Sequence, residues 1–334
     1  MEAVVMRRFI PLARHGSVLV RLALGASLAA GLAFTTIQAQ IPGRNVNMVS
    51  GVKWPDGDPF LQRQNEPSVA ASTRNPLHLL GGSNDYRTVD VPGMPDGVET
   101  GDAWLGLFKS TDGGQRWTST LLPGYPQDQS PAGLASPLKS YQAGADAVVR
   151  AGTNGLLYFS GLVFDRAEDG KSGIFLARFI DNNNQESGDP IAYLGTKLVA
   201  SSSGAKFLDK PWMAVDIPRG NAAVCTITSD NILATAQDGR HRRHDDRRKK
   251  ANSGKSKGKG NGGAPAPGTQ RIPAGAVYVA YSSITGSAAT LRSEILLTRS
   301  LDCGNTWSAP IKVSRPEDAI NQGSSLTIDP RNGT

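Results

Sequence analysis

The chain is poor in the residues from which most catalytic and metal sites are built. It has 334 residues, of which four are His and two are Cys. Three of the histidines, His15, His241 and His244, lie in peripheral basic segments. His78 is then the one on which a Ser-His-Asp hydrolase or a His-ligated zinc site would depend, and neither is expected. No metal or cofactor is expected either. Charged residues make up 19% and aromatic residues 6% of the chain. No apolar run after residue 34 is long enough for a transmembrane helix, and no long amphipathic helical pattern follows residue 39.

A basic core is also lacking. The formal net charge is +7, but residues 1–39 contribute +3 and residues 240–262 contribute +8, leaving −4 elsewhere. Specific nucleic-acid binding is therefore not expected. What the chain does have is turns. Its 38 Gly and 21 Pro are together about 18% of the sequence, against an ordinary 12% or so. Combined with many short apolar runs, this points to an all-β protein.

Arg7, Arg8, Arg14 and Arg21 precede the uncharged apolar stretch Leu22 to Phe34, and Ile37-Gln38-Ala39 has the form of a cleavage site. Residues 1–39 are expected to be a bacterial secretory signal, with residues 40–64 as a lead-in. The alternative is an uncleaved anchor, since Val18 to Val20 extend the apolar run. After cleavage the chain would be secreted, periplasmic or at the cell surface, with no membrane segment.

The rest of the chain repeats itself. Ser110-Thr111-Asp112-Gly113-Gly114-Gln115-Arg116-Trp117 and Ser300-Leu301-Asp302-Cys303-Gly304-Asn305-Thr306-Trp307 both read Ser-x-Asp-x-Gly-x-x-Trp, each after a β run. Phe175 to Asp181 keeps the run and the Asp but not the Gly or Trp. The spacing has a structural logic: Asp accepts from backbone N–H groups of its own turn, Gly supplies the unusual backbone, and Trp buries its ring under the hairpin. Ser110, Asp112, Gly114, Trp117, Ser300, Asp302, Gly304 and Trp307 are read as structural. A second element precedes each hairpin, at Glu66-Pro67-Ser68-Val69, Ala145-Asp146-Ala147-Val148 and Lys210-Pro211-Trp212-Met213, and recurs at Gly323-Ser324-Ser325-Leu326. Each unit reads strand, strand, strand, Asp turn, strand, which is the blade of a β-propeller. Blades are expected at about 65–125, 145–205 and 210–315, with a fourth starting at 322.

Ser-x-Asp-x-Gly-x-x-Trp resembles the Asp-box, or BNR repeat, of the sialidase superfamily. Asn65-Glu66-Pro67-Ser68-Val69-Ala70 and Asp209-Lys210-Pro211-Trp212-Met213-Ala214 resemble blade openings of secreted bacterial exo-α-sialidase-like proteins. The likeness covers residues 65–334 and implies an all-β, sialidase-like propeller of four-stranded blades. Such propellers close with six blades, so the resemblance implies an incomplete ring here; the alternative is a short propeller closed by dimerisation. Activity is less specified, because Asp-boxes also occur in propellers that bind or scaffold. The family's three arginines, acidic Asp and Tyr nucleophile with its Glu cannot be carried over. Arg271-Ile272-Pro273 matches an arginine motif of the family but stands far downstream of its place, and is read as coincidence. No catalytic residue is assigned.

In a blade, the strand 4–1 and 2–3 loops share one face, opposite the Asp turns. There the candidate glycan-binding residues are Glu66, Asp85, Tyr86, Arg87, Asp146, Arg166, Asp209 and Lys210. Arginines at a channel mouth would take the carboxylate of a sialylated or other anionic glycan. The structural alternatives are ion pairs for Arg87 and Arg166, backbone capping for Glu66, Asp146 and Asp209, and packing for Trp54 and Trp104. Cys225 and Cys303 fall on one side of the third blade, so a disulfide or two separate buried thiols are open. Residues 240–268 hold no apolar residue larger than Ala or Pro, and are expected to be a disordered basic insertion. It is read as a solvated loop or an arm for anionic polymer; His241 and His244 alone would make a poor metal site. Asp181-Asn182-Asn183-Asn184 looks like a calcium loop, but Gly188 is misplaced for one. Three functions stay open: a sialidase-type hydrolase, a glycan- or protein-binding propeller, and a structural module of a larger surface protein.

Overall fold

The computed structural model describes residues 45–49, 64–88, 102–167, 169–183, 188–229 and 268–334. The expected leader, Trp54, Arg63, Asn184 and the basic insertion up to residue 267 lie outside the described residues. All described residues except Asn45 fall in one compact unit, Val46–Thr334.

Three antiparallel sheets of four strands follow one another along the chain. The first contains β1 (Gln64–Ala71), β2 (Leu79–Asp85), β3 (Trp104–Ser110) and β4 (Thr118–Leu121), in that order across the sheet. A single helical turn, α1 (Pro131–Leu134), leads to the second sheet, with the Ser130 hydroxyl capping its first turn. The second contains β5 (Ala143–Ala151), β6 (Leu156–Phe164), β7 (Ser172–Asp181) and β8 (Ile191–Ser202). The third begins with β9 (Lys206–Val215), and then a separate ribbon intervenes: β10 (Val224–Ser229) paired with β11 (Gly268–Pro273). It resumes with β12 (Val277–Thr285), β13 (Arg292–Ser300) and the short β14 (Ile311–Lys312). The first strands of the three sheets are neighbours, β1 packing on β5 and β5 on β9.

The middle sheet explains its own apolar sequence. Its strands are covered on both faces, so they read as nearly unbroken hydrophobic runs and their side chains alternate between two cores. Leu157, Phe159, Val163, Phe175, Ala177 and Phe179 join Leu80, Trp104 and Leu105 of the first sheet. Leu156, Tyr158, Leu162, Ile174, Leu176 and Ile180 join Met213, Val277, Val279 and Tyr281 of the third. Each fully buried phenylalanine contributes roughly 2–3 kcal/mol of apolar burial. Gly82 allows the sheets to approach, because a Cβ there would lie 2.4 Å from the Phe159 ring. Trp104 is completely buried and donates its indole N–H to the Leu122 carbonyl at 2.9 Å.

The repeat pattern predicts no ribbon between β9 and β12. The ribbon forms because Cys225, Ile227 and Ile272 alternate with exposed neighbours and bury one face against the second core. Arg271 projects from β11 as an exposed residue of this ribbon.

Candidate functional site

Each inner strand is irregular at the same place. The pairing register shifts between Asn65 and Ser68 in β1, between Ala145 and Val148 in β5, and in β9 opposite Ala280 and Ser282. At these bulges Glu66, Asp146 and Lys210 have φ of 51°, 60° and 45°. Gly323 stands at the corresponding point of the last repeat with φ 72°. A left-handed backbone costs a non-glycine residue about 1–2 kcal/mol. Three charged residues thus hold a conformation that suits glycine, and strain of this kind gathers at functional sites.

The bulges turn the three side chains toward one another. The Lys210 ammonium donates to Asp146 Oδ1 at 2.9 Å and to the two Glu66 oxygens at 3.2 and 3.3 Å. Asn84 holds both carboxylate residues: its side-chain N–H reaches Glu66 Oε2 at 3.3 Å, and its oxygen accepts the Asp146 backbone N–H at 2.7 Å. The two carboxyls are also neighbours, each shifting the titration of the other. Burial first, and that contact second, push Asp146 up to about 6 from its ordinary 3.8, with Lys210 pulling the other way. The hydrogen bond from Asp146 holds Glu66 below its ordinary value, against burial and with help from Lys210. Burial opposes the Lys210 charge, but the carboxylates outweigh it and its ammonium is held above the usual lysine range. The pair behaves as one unit that retains a proton Glu66 alone would have lost.

These residues line a cavity of about 350 Å³, completed by Pro67, Ser68, Ala147, Val148, Pro211, Trp212 and the segment Gly323–Ser325. Half-buried Trp212 donates its indole N–H to the Leu326 carbonyl and carries the Arg150 guanidinium 4.9 Å above its ring. The Ser324 hydroxyl is sealed from solvent without a hydrogen-bond partner. At the rim, Gln322 donates to the Asp209 carboxylate. The cavity thus offers two carboxylates and an ammonium together with an indole and two prolines.

Of the candidate residues, Glu66, Asp146 and Lys210 line this cavity and Asp209 flanks it. The others lie elsewhere. Arg87 is buried and grips Asp85 through Nε at 2.9 and 3.0 Å and Nη2 at 2.6 Å, with Ser119 accepting a further bond at 2.8 Å. Arg166 pairs with Asp102 at 2.5 and 2.9 Å and stacks on Phe164. Half-buried Tyr86 sits near Arg166. Neither arginine, therefore, presents a free guanidinium fork to the cavity. Trp212, Gly323 and Ser324 belong to the site although motif reading did not single them out as ligands, and Asn84, which strand order places on the same face, braces it. Their signal lay in the repeat columns, where Glu66, Asp146, Lys210 and Gly323 align.

The opposite ends of the strands carry the Asp turns. The Ser110 hydroxyl donates to Asp112 at 3.0 Å and accepts the Gly114 N–H at 2.9 Å; Asp112 accepts the Arg116 N–H at 2.9 Å. Hydrogen bonds from the Arg116 side chain and backbone pull the Asp112 carboxyl down to about 2. Ser300, Asp302 and Gly304 repeat the pattern, with Thr306 replacing the arginine through N–H and hydroxyl bonds of 2.9 and 2.6 Å. Trp117 returns its indole N–H to the Gly114 carbonyl at 3.0 Å, and Trp307 packs on the second core. Cys225 at the ribbon base is joined to Cys303 in the third Asp turn by a disulfide with Cα atoms 6.1 Å apart.

The second sheet solves the same problem differently. Asp181 is fully buried and accepts from Ser72 Oγ at 2.5 Å and from the Asn183 N–H at 2.6 Å, and it pairs with His78 Nδ1 at 2.8 Å. A Ser, a His and an Asp do meet here. Both partners bond to the Asp rather than Ser to His, and all three are buried, so the trio joins two sheets and is not a nucleophilic triad. With its carboxylate so engaged, Asp181 does not head a calcium loop, and among the described residues no cluster of acidic, His or Cys side chains has metal-site geometry.

No family model matches the chain, and no curated protein matches it. Among solved structures it is similar to an α-L-arabinofuranosidase from Fusarium graminearum in complex with an iminosugar inhibitor, with a TM-score of 0.38 and 11% identity over 78% of this chain and 51% of that one. A mutant of that enzyme with an iminosugar inhibitor gives 0.36 and 12% over 75% and 48%. A Dyadobacter fermentans protein of unknown function gives 0.33 and 13% over 75% and 50%. The chain spans about half the length of the solved structures it matches.

Proposed function

We propose that this chain is part of an exported Asp-box propeller that binds glycan, and that the cavity between the inner-strand bulges is its sugar site. The observation that carries the reading is the convergence of Glu66, Asp146 and Lys210, each at the same left-handed bulge of a different sheet, on one cavity of about 350 Å³. Carboxylates and an ammonium suit sugar hydroxyls, and an indole beside prolines suits the apolar face of a sugar ring. The Asp turns at the far ends and the first-strand neighbours support an arc of propeller blades. The Arg- and Leu-rich leader supports export by a bacterium.

Binding without turnover fits better than hydrolysis. Two carboxyls that bracket a glycosidic bond flank it from separate positions, whereas Glu66 and Asp146 are both held on the one Lys210 ammonium, at 3.2 and 2.9 Å. A sialidase-type carboxylate clamp is not favoured at this cavity either, because Arg87 and Arg166 are engaged by Asp85 and Asp102.

The test is a glycan array probed with the full chain and with Lys210→Ala, with free sugar measured in parallel. The expected result is a restricted set of glycans retained by the native chain, lost by the variant and released unchanged. No retained glycan, or the same set retained by Lys210→Ala, would overturn the assignment of the site. Liberated sugar would overturn the non-catalytic reading.

A further inference from the structure

We infer that the preferred occupant of this cavity is a glycan carrying a free amine, its ammonium seated between Glu66 and Asp146. This rests on the glycan-binding reading above and deepens it by naming the charge of the ligand.

The first ground is the inventory of charges that face the cavity. β1 contributes Glu66, β5 contributes Asp146, and β9 contributes Lys210; Asn84 of β2, which braces Glu66, and Ser324 of the last repeat are neutral. Arg150 lies on the Trp212 ring, with its Nη1 donated to the Val149 carbonyl at 2.8 Å. Among the lining residues two carboxylates thus face one cation, and Lys210 is shared between both. An anionic sugar would enter against that excess. An amine-bearing one would enter with it.

The second ground is mobility within the pair. The Asp146 side chain is 9% exposed and its backbone N–H is held by Asn84, whereas the Glu66 side chain is 48% exposed. The more exposed Glu66 leaves room to turn outward, so that a ligand ammonium can sit beside Asp146 between the two carboxylates.

The chemistry of the exchange balances. Where Asp146 still carries its proton, seating the ammonium expels it to solvent, so the proton released per amine approaches one well below pH 6 and falls toward zero above it. Because Asp146 is held near 6, amine binding should strengthen as pH rises through that value, while a neutral sugar gains nothing from deprotonation.

The experiment is calorimetric titration of the full chain with chitotriose, its fully N-deacetylated counterpart and 3′-sialyllactose, at about pH 5 and pH 6.5, where the amine stays largely protonated. Buffers of different ionisation heat report proton release. The deacetylated trisaccharide is expected to bind at least tenfold more tightly than the other two at the higher pH, and to weaken severalfold at the lower one. Asp146→Asn is expected to abolish both the preference and the proton release, and Glu66→Gln to reduce them. Equal or tighter binding of the acetylated or sialylated sugar would overturn this inference while leaving the sugar site intact. Failure of all three sugars to bind would overturn both.

Discussion

The two ends of the strands use acidic residues in opposite ways. At the Asp-turn end, Asp112 and Asp302 are satisfied by donors within their own hairpins. At the cavity end, Glu66 and Asp146 find their partner Lys210 144 and 64 residues away in sequence, across sheet boundaries. Local donors pull the first kind of carboxyl down, whereas burial and a like-charged neighbour push Asp146 up. A carboxylate with its partners at hand organises a turn. One made to share lysine and proton with a second carboxylate is set up for a ligand.

This contrast can be sharpened by substitution. The largest effect is expected where the Asp-turn end is tied to the ribbon. Replacing Cys225 and Cys303 together by Ala opens a 78-residue separation and should cost about 4 kcal/mol by loop entropy, read as a lower urea midpoint that reductant reproduces in the native chain. Next comes the second sheet. Asp181→Ala strands buried His78 and Ser72 and should cost about 3 kcal/mol, measured by the same unfolding curves. Ser110→Ala and Ser300→Ala each leave a glycine N–H without its acceptor and should cost about 1 kcal/mol apiece.

At the cavity end, stability should hardly fall. Lys210→Gly relieves the left-handed backbone, so the variant should unfold no earlier than the native chain while losing glycan. A clear loss of stability would show that Lys210 is structural. The smallest effect is in the pH profile. Asp146 is raised in the fold, so its contribution is fully present below its ordinary value of 3.8 and is lost as pH rises through about 6. Unfolding midpoints across that window should therefore decline with pH more in the native chain than in Asp146→Asn.

The sequence makes one end far more legible than the other. Ser-x-Asp-x-Gly-x-x-Trp contains both partners of most of its own hydrogen bonds within eight residues, so its meaning travels with the string. The cavity does not: Glu66 and Asp146 read as candidates by position alone, and nothing near them in sequence announces Lys210 as their shared cation or Asn84 as their brace. Arg87 and Arg166 take the ion pairs that were their structural reading, Arg87 with Asp85 two residues away and Arg166 with Asp102, which only tertiary contact brings within reach. The ribbon escaped notice because its alternation, Cys225-Thr226-Ile227 against Gln270-Arg271-Ile272, is short and split by a long basic run.

One measurement bears most directly on the claim that charges from three sheets act as a unit. Carboxyl carbon NMR of the native chain, titrated across the acid range, should show Asp146 losing its proton near 6 and Glu66 below its ordinary value, with both curves shifting when Lys210 is replaced by Ala. Two independent titrations near 4, indifferent to Lys210, would contradict it.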